Sequence, residues 1–221
     1  MAQKKAPRRT RERILEAALA LFNREGEPHV TTADIADELN ISPGNLYYHF
    51  RNKDDIIGEL YAALEAKIAP LTAVPPDRLP GVEDLWLLLH LLFERMWEYR
   101  FIYRDLDEIM SRNRRVALRF AELNRRGERT VVDLCRGLVA VGTMHASERE
   151  IAALATNVVM IATYWLSWQR IHATTPTRDA TDDSPDDRLG HAAYQVMALI
   201  APYMEGDARA LIERLGADYL R

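Results

Sequence analysis

A chain of 221 residues, 48% of them hydrophobic, is long enough to bury a complete core, and we expect one large or two small domains. The net charge of −4 argues against an affinity for nucleic acid spread over the whole surface. The first 13 residues nevertheless carry six Lys and Arg side chains against one glutamate, so a small basic end precedes an acidic body. The single cysteine, Cys135, excludes an internal disulfide, and we expect a small core residue and a reducing compartment.

Two segments imitate membrane-directed sequences. The basic start followed by the apolar residues 14–22 resembles a signal peptide, but Glu16 interrupts the apolar run and no small-residue cleavage site follows. Residues 151–168 form an uncharged stretch of 18 residues, which is long enough to span a membrane. They include polar residues such as Asn157, and a helix that is apolar nearly all round is also typical of a protein core, so we interpret them as a buried helix of a cytoplasmic protein and expect no membrane partner.

Apolar residues recur with helical spacing along the whole chain, and no long stretch alternates with period two, so the sequence predicts an all-α fold. The first helix contains residues 14–22. Thr31 starts a short helix in which Asp34 completes a capping box. Ser42 caps the next helix, with a proline at its first position, and Asn52 caps a fourth that ends near residue 69.

A proline-rich segment, residues 70–81, divides the chain into a small domain of residues 1–69 and a larger domain of residues 70–221. Long helices are predicted in the larger domain, together with one polar, acidic loop at residues 174–187. The predicted helices are residues 82–100, 102–110, 113–142, 147–172, 188–204 and 207–219.

The two short helices within residues 31–50 have the spacing of a helix-turn-helix. Ile35, Leu39, Ile41 and Leu46 can form a shared small core, and Ala36 allows the helices to cross closely. In this motif the second helix enters the major groove of DNA.

Polar and aromatic residues suited to DNA surround that small core. Gly44 lets the backbone approach phosphate, and helix starts attract phosphate through their N–H groups. Amide, phenol and imidazole groups can contact base edges and thymine methyl groups. The candidate base contacts are Asn45, Tyr47, Tyr48 and His49, and the candidate phosphate contacts at helix starts are Thr32, Ser42 and Lys53.

The segments "RERILEAALALFNREG" and "VTTADIADELNISPGNLYYHFRNKDDII", followed by a long helical remainder, resemble the TetR family of bacterial regulators over about residues 10–60. The resemblance implies a homodimer whose larger domain binds a small effector. It differs from some members at Ala33 and Asp34, where those members have a basic residue. It implies DNA contacts from Thr32, Gly44, Asn45, Tyr47, Tyr48, His49 and Lys53.

Other interpretations remain open for this region. The helix-turn-helix could serve only as scaffolding, and Tyr47 could pack on Phe22. Tyr48 or His49 could also be packing residues. The basic residues 4–13 could form either a solvated tail or an arm that lies along DNA.

The larger domain is rich in aromatic and methionine side chains, which form either a core or the walls of an effector pocket. Similarity to relatives linked to polyester and fatty-acyl metabolism favours an acyl effector, with an aromatic compound as the alternative. The arginines of residues 112–129 form a solvated face, or pair with acidic residues of the first domain, or neutralise an anionic ligand. The predicted pocket residues are Trp86, His90, Trp97, Asn157, Tyr164 and Trp168.

Catalytic signatures are lacking in the sequence. It contains no glycine-rich phosphate loop, no nucleophile elbow and no paired histidines or cysteines for a metal, so we expect neither an enzyme nor a metal or other cofactor. The sequence predicts a dimeric repressor that binds a palindromic double-stranded operator and is released by a small ligand. The alternatives are a helical ligand-binding or scaffold protein without DNA binding, and a transcriptional activator or non-specific architectural DNA-binding protein.

Overall fold

The computed structural model describes residues 7–72, 81–172 and 185–219, with the side chains of residues 9–72, 81–172 and 190–219. The predicted all-α fold is confirmed, and within these ranges the only extended pairing is an isolated bridge between Met144 and Met204. Much of the basic N-terminal end and of the acidic loop lies outside the described residues. The α-helices are α1 (Pro7–Glu25), α2 (Thr32–Glu38), α3 (Pro43–His49), α4 (Lys53–Ile68), α5 (Val82–Glu98), α6 (Arg100–Arg104), α7 (Leu106–Arg112), α8 (Arg114–Ala140), α9 (Glu148–His172), α10 (Pro185–Ile200) and α11 (Gly206–Asp218).

The predicted helix starts are confirmed by their hydrogen bonds. The hydroxyl of Thr31 accepts from the Asp34 N–H at 3.2 Å, and the Asp34 carboxylate accepts from the Thr31 N–H at 2.7 Å. Ser42 Oγ accepts from the Asn45 N–H at 3.2 Å. Asn52 Oδ1 accepts from the Asp55 N–H at 2.8 Å. Each cap satisfies an amide that the first helical turn leaves without a backbone partner.

The chain divides into two compact units. The first contains the residues up to Ala66 together with Tyr99–Arg119, and the second contains Lys67–Glu98 and the residues from Phe120 onwards. The sequence-based division placed residues 99–119 in the larger domain.

Contacts at the end of α1 explain why α6 belongs to the first unit. The rings of Phe22 and Phe101 lie 5.1 Å apart, and both side chains are fully buried. The Asn23 side chain accepts from the Phe101 N–H at 3.1 Å, and the Arg104 guanidinium donates to the Phe22 carbonyl at 2.6 Å. Aromatic packing and a charged donor on a helix-end carbonyl therefore fix α6 against α1.

In the second unit, α10 packs against α5, α9 and α11. Apolar residues of α10, among them Ala192, Val196, Met197 and Ile200, are buried within the chain. Cys135 of α8 is 2% exposed, as expected for a core residue, and burial raises the pKa of its thiol to about 11.

Helix α9, whose residues 151–168 carry no charge, is long and apolar enough to cross a membrane, a property that core helices of soluble proteins share. One side of it, including Ile151, Leu154 and Val158, is buried within the chain. Its other side exposes Met160 and Trp168. The prediction of a buried helix therefore holds for one face of α9 within a single chain.

Candidate nucleic-acid interface and effector region

The turn between α2 and α3 follows from its sequence. Asn40 has a φ of 50°, a left-handed conformation that asparagine tolerates better than most residues. The next N–H, of Ile41, donates to the Ala36 carbonyl at 3.0 Å and closes the end of α2. Of the residues predicted for a shared small core, Ile35 and Leu46 are fully buried, as is Ala36. Leu39 and Ile41, predicted for the same core, are only partly buried.

Helix α3 separates an anchoring side from an exposed side. Leu46 is fully buried and Phe50, which follows the helix, is 3% exposed. Tyr47 and Tyr48 are 52% and 78% exposed, large values for aromatic side chains. A Cβ added to Gly44 would meet no atom within 4 Å, so the backbone there is open to a close approach.

Two further contacts orient the exposed residues. The hydroxyls of Thr32 and Tyr47 are 3.0 Å apart and connect the start of α2 to α3. The rings of Tyr48 and His49 meet edge to face, with centroids 5.1 Å apart. The structure therefore connects Thr32 to Tyr47 and Tyr48 to His49.

Lys53 differs from the other candidate DNA contacts. Its ammonium donates to the carbonyls of Glu27 and Val30, both at 2.9 Å, and lies 2.8 Å from the Glu27 carboxylate. These three contacts match the three donors of an ammonium group. The side chain that the sequence assigned to phosphate is used within the protein, where it joins the start of α4 to the segment before α2.

Glu27 is the centre of an ion-pair network that the sequence did not reveal. Its side chain is fully buried, and its Oε1 also accepts from Arg112 at 2.6 Å. Arg112 in turn donates to the Asp54 carboxylate at 2.9 Å. The Glu27 N–H donates to Asp105 at 3.0 Å. Buried charges require such partners, so the network fixes α4 and α7 around the segment between α1 and α2.

The predicted effector residues fall into two groups in the second unit. The Trp86 and His90 rings of α5 stack with centroids 5.4 Å apart. The hydroxyl of Tyr219, which follows α11, lies 3.4 Å from His90 Nδ1. Burial raises the pKa of Tyr219 to about 12, and sequence reasoning had not singled out this tyrosine.

The second group lies on α9. Trp168 stacks on Trp165 at 5.1 Å and approaches His172 at 4.2 Å. Tyr164 and Trp168 are about half exposed, whereas Asn157 and Trp97 are partly buried. A cleft of about 390 Å³ lies between α10 and α11, lined by residues other than the six predicted ones. Ring contacts thus join Trp86 to His90 on α5, and Trp168 to Trp165 and His172 on α9.

Comparison with known families identifies this arrangement. The TetR family model described as a bacterial transcriptional repressor matches residues 63–212, and the N-terminal model of bacterial regulatory proteins of the tetR family matches residues 14–60. This chain belongs to the TetR family. The family resemblance of the N-terminal motif is thereby confirmed, and it extends through the larger domain.

Individual relatives agree with this assignment. A TetR-family regulator from Marinobacter aquaeolei is 31% identical, with a TM-score of 0.85 over 96% of this chain and 99% of that chain. The transcriptional regulator AcrR of Shigella flexneri is 31% identical over 44% of this chain and 46% of that protein. The repressor KstR2 of Mycobacterium tuberculosis is 37% identical over 33% of this chain and 40% of that protein. The chain spans less than half the length of these last two relatives in the matched segments.

The departure from some TetR-family sequences at Ala33 and Asp34 has a structural consequence. Asp34 accepts from the backbone and hydroxyl of Thr31, and these hydrogen bonds lower the pKa of its carboxyl group. Asp34 therefore stabilises the start of α2, where an anionic side chain also favours the helix dipole.

The basic residues 112–129 combine two of the predicted arrangements. Arg112 pairs with Asp54 and Glu27, and Arg119 pairs with Glu65, so these two arginines contact acidic residues of the small domain of residues 1–69. Further along α8, Arg125 and Arg129 pair with Glu122 on the same helix and form an exposed face, as expected for a solvated surface.

Proposed function

We propose that this TetR-family protein is a cytoplasmic transcriptional repressor that binds a palindromic operator as a homodimer and is released by a small ligand. The observation that carries the proposal is the exposed face of α3. A helix that anchors Leu46 while exposing Tyr47 and Tyr48 at its surface is suited to reading base edges. In this proposal residues 1–69 bind DNA, and residues 70–221 bind the effector and the second protomer.

The DNA contacts come from the exposed residues of α2 and α3. Tyr48 and His49 are the base-reading residues, and the connection between Thr32 and Tyr47 holds the two helices in register for phosphate and base contacts. The remaining proposed contacts are Ser42, Gly44 and Asn45.

The homodimer is supported by an apolar stripe on α9. Met160, Tyr164, Trp168 and Ile171 are 48% to 66% exposed and recur at intervals of four, four and three residues, on one side of the helix. Single exposed apolar residues are ordinary, but a continuous stripe is typical of an interface. A two-fold dimer would present its recognition helices about 34–36 Å apart, which is one turn of DNA.

Release by a ligand requires that the ligand bind the DNA-free state more tightly than the DNA-bound state. The stacked aromatic group of Trp86 and His90 favours an amphipathic acyl or aromatic effector. The element that would transmit binding is α4, because it begins directly after the recognition helix and continues to Ile68. A coupling of about 1–3 kcal/mol is sufficient for release.

Selection of bound fragments from a pool of random duplexes tests the proposal. Recovery of a palindrome with half-sites about 10 base pairs apart supports a dimeric regulator. Recovery without sequence preference would indicate an architectural DNA-binding protein, and no recovery would favour a ligand-binding or scaffold protein. A reporter carrying the selected palindrome then separates repression from activation, and acyl and aromatic compounds that relieve binding identify the effector class.

A further inference from the structure

A cleft of about 460 Å³ in the first unit has the size of a small-molecule site and an unusual charge. Its walls come from the end of α3, the first half of α4 and the start of α8. Six arginines and three carboxylates line it, so the cleft is basic within a chain whose net charge is −4. It is separate from the aromatic groups proposed for the effector.

The three carboxylates of the cleft already have partners. Glu59 pairs with Arg11 at 3.0 Å, and Asp54 accepts from Arg112 at 2.9 Å. Asp55 accepts from the Arg51 backbone N–H at 3.2 Å. The acidic groups in the cleft are thus engaged by protein donors.

Three of the arginines that line the cleft are not neutralised by an acidic side chain of the described residues, so their charge can act on a ligand. Among the residues that the structure describes, Arg51, Arg114 and Arg115 have no ion pair. Arg114 and Arg115 are exposed neighbours in the first turn of α8, which contains no acidic residue. Positive side chains in the first turn of a helix oppose the helix dipole, so the arrangement costs stability unless an anion compensates it.

The floor of the cleft leaves room for such an anion. Gly58 and Ala62 lie one turn apart on α4, and a Cβ added to Gly58 would meet no atom within 4 Å. Arginine guanidinium groups present paired donors that match phosphate oxygens.

We propose that this cleft binds a small phosphate-bearing anion, with Arg114 and Arg115 as its principal donors. Arg112 lies in the same cleft and holds Asp54, the second residue of α4, so a bound anion lies beside the helix that follows the recognition helix. The site is a second ligand site, chemically distinct from the apolar effector region.

Calorimetric titration of the full-length protein with inorganic pyrophosphate, at constant ionic strength set with chloride, tests the proposal. The double variant Arg114→Ala and Arg115→Ala should weaken binding by about tenfold or more for each arginine removed, because each loses a charge-assisted hydrogen bond. The matched control is Arg125→Ala with Arg129→Ala, which removes the same charge from the same helix outside the cleft and should leave the affinity within about twofold.

A second variant tests the cavity without changing the charge. Gly58→Leu places a side chain in the open space of the cleft and should abolish pyrophosphate binding while the protein stays folded by circular dichroism. The proposal is overturned if pyrophosphate binds no more tightly than chloride, or if the control variant loses as much affinity as the cleft variant. It is also overturned if a random duplex displaces pyrophosphate and loses affinity for the cleft variant, because the cleft would then contact the DNA backbone.

Discussion

Replacement of Lys53 by methionine tests whether this residue supports the DNA-binding module from within. The change keeps an unbranched side chain that is one atom shorter, and it removes all three contacts of the ammonium. Among the residues that the structure describes, the fully buried Glu27 would then keep Arg112 alone as an ionic partner. Breaking a buried pair costs about 3–5 kcal/mol, and the 23% exposure of Lys53 reduces this, so we expect a loss of about 2–4 kcal/mol in the free energy of unfolding.

Urea denaturation of a double-mutant cycle measures this interaction. With Glu27→Gln in the background, the buried anion is absent and Lys53→Met should cost about 1–3 kcal/mol less than it does in the unmutated protein. Equal costs in both backgrounds would show that Lys53 and Glu27 do not stabilise each other.

DNA binding provides an independent test of the same residue. A phosphate contact by Lys53 would contribute about 0.9 to the slope of log affinity against log salt in each protomer. Because the ammonium donates within the protein, we expect Lys53→Met to leave this slope unchanged under conditions where the variant is folded. An unchanged unfolding free energy combined with a reduced slope would refute the structural role and restore Lys53 to the phosphate contacts.

Four further experiments test other parts of the structure. Tyr48→Ala should lose about 1–3 kcal/mol of affinity for the selected palindrome and far less for random duplex, and equal losses would remove Tyr48 from the base-reading residues. Met160→Glu should yield monomers in a sizing experiment. The control variant Ala210→Glu places the same charge on another exposed apolar residue and should remain dimeric. If both variants form dimers, the α9 stripe is not the dimer interface. Cys135 should resist a thiol reagent at pH 8 until the protein unfolds, since burial raises its pKa to about 11, and rapid labelling of the native protein would contradict this. Because hydrogen bonds from Thr31 lower the pKa of Asp34 in the folded protein, its stabilising effect should be present above about pH 4 and disappear as pH falls further, and Asp34→Asn should remove that part of the acid dependence in denaturation curves.

The local features of the fold could be predicted because their signals lie within a few residues. Thr31 with Asp34, and Ser42 with Asn45, are each three residues apart, so the sequence itself displays the caps. The core of the helix-turn-helix likewise follows from apolar spacing within 20 residues.

The ion-pair network could not be predicted because its partners are far apart in the chain. Glu27 and Arg112 are separated by 85 positions, and Glu27 and Lys53 by 26. Nothing in the local pattern distinguishes Glu27 from an exposed glutamate, and Lys53 has the same sequence context whether it contacts phosphate or a buried carboxylate. Long-range charge pairing is decided by tertiary structure.

The apolar helices show a different limit of sequence reasoning. Periodicity identified α9 and α10 as apolar, but it does not tell which neighbour covers each face. In the structure the apolar side of α10 is buried within the chain, whereas α9 has one buried and one exposed side. A charge at Ala155, which is 1% exposed, would therefore disrupt the core. A charge at Met160, which is 52% exposed, should affect dimer formation and leave the fold of the protomer intact.

The same charge pairs constrain how a signal can pass through α4. Asp54 near its start is held by Arg112, and the Asn113 side chain donates to the Asp54 carbonyl at 3.2 Å. Glu65, near its other end, pairs with Arg119. Because these side chains are partly exposed, separating one pair costs about 1 kcal/mol, and separating both approaches the coupling of about 1–3 kcal/mol expected of a regulator. A ligand that moves residues 112–119 should therefore carry α4 with them, and with it Lys53 and the recognition helix that ends directly before it.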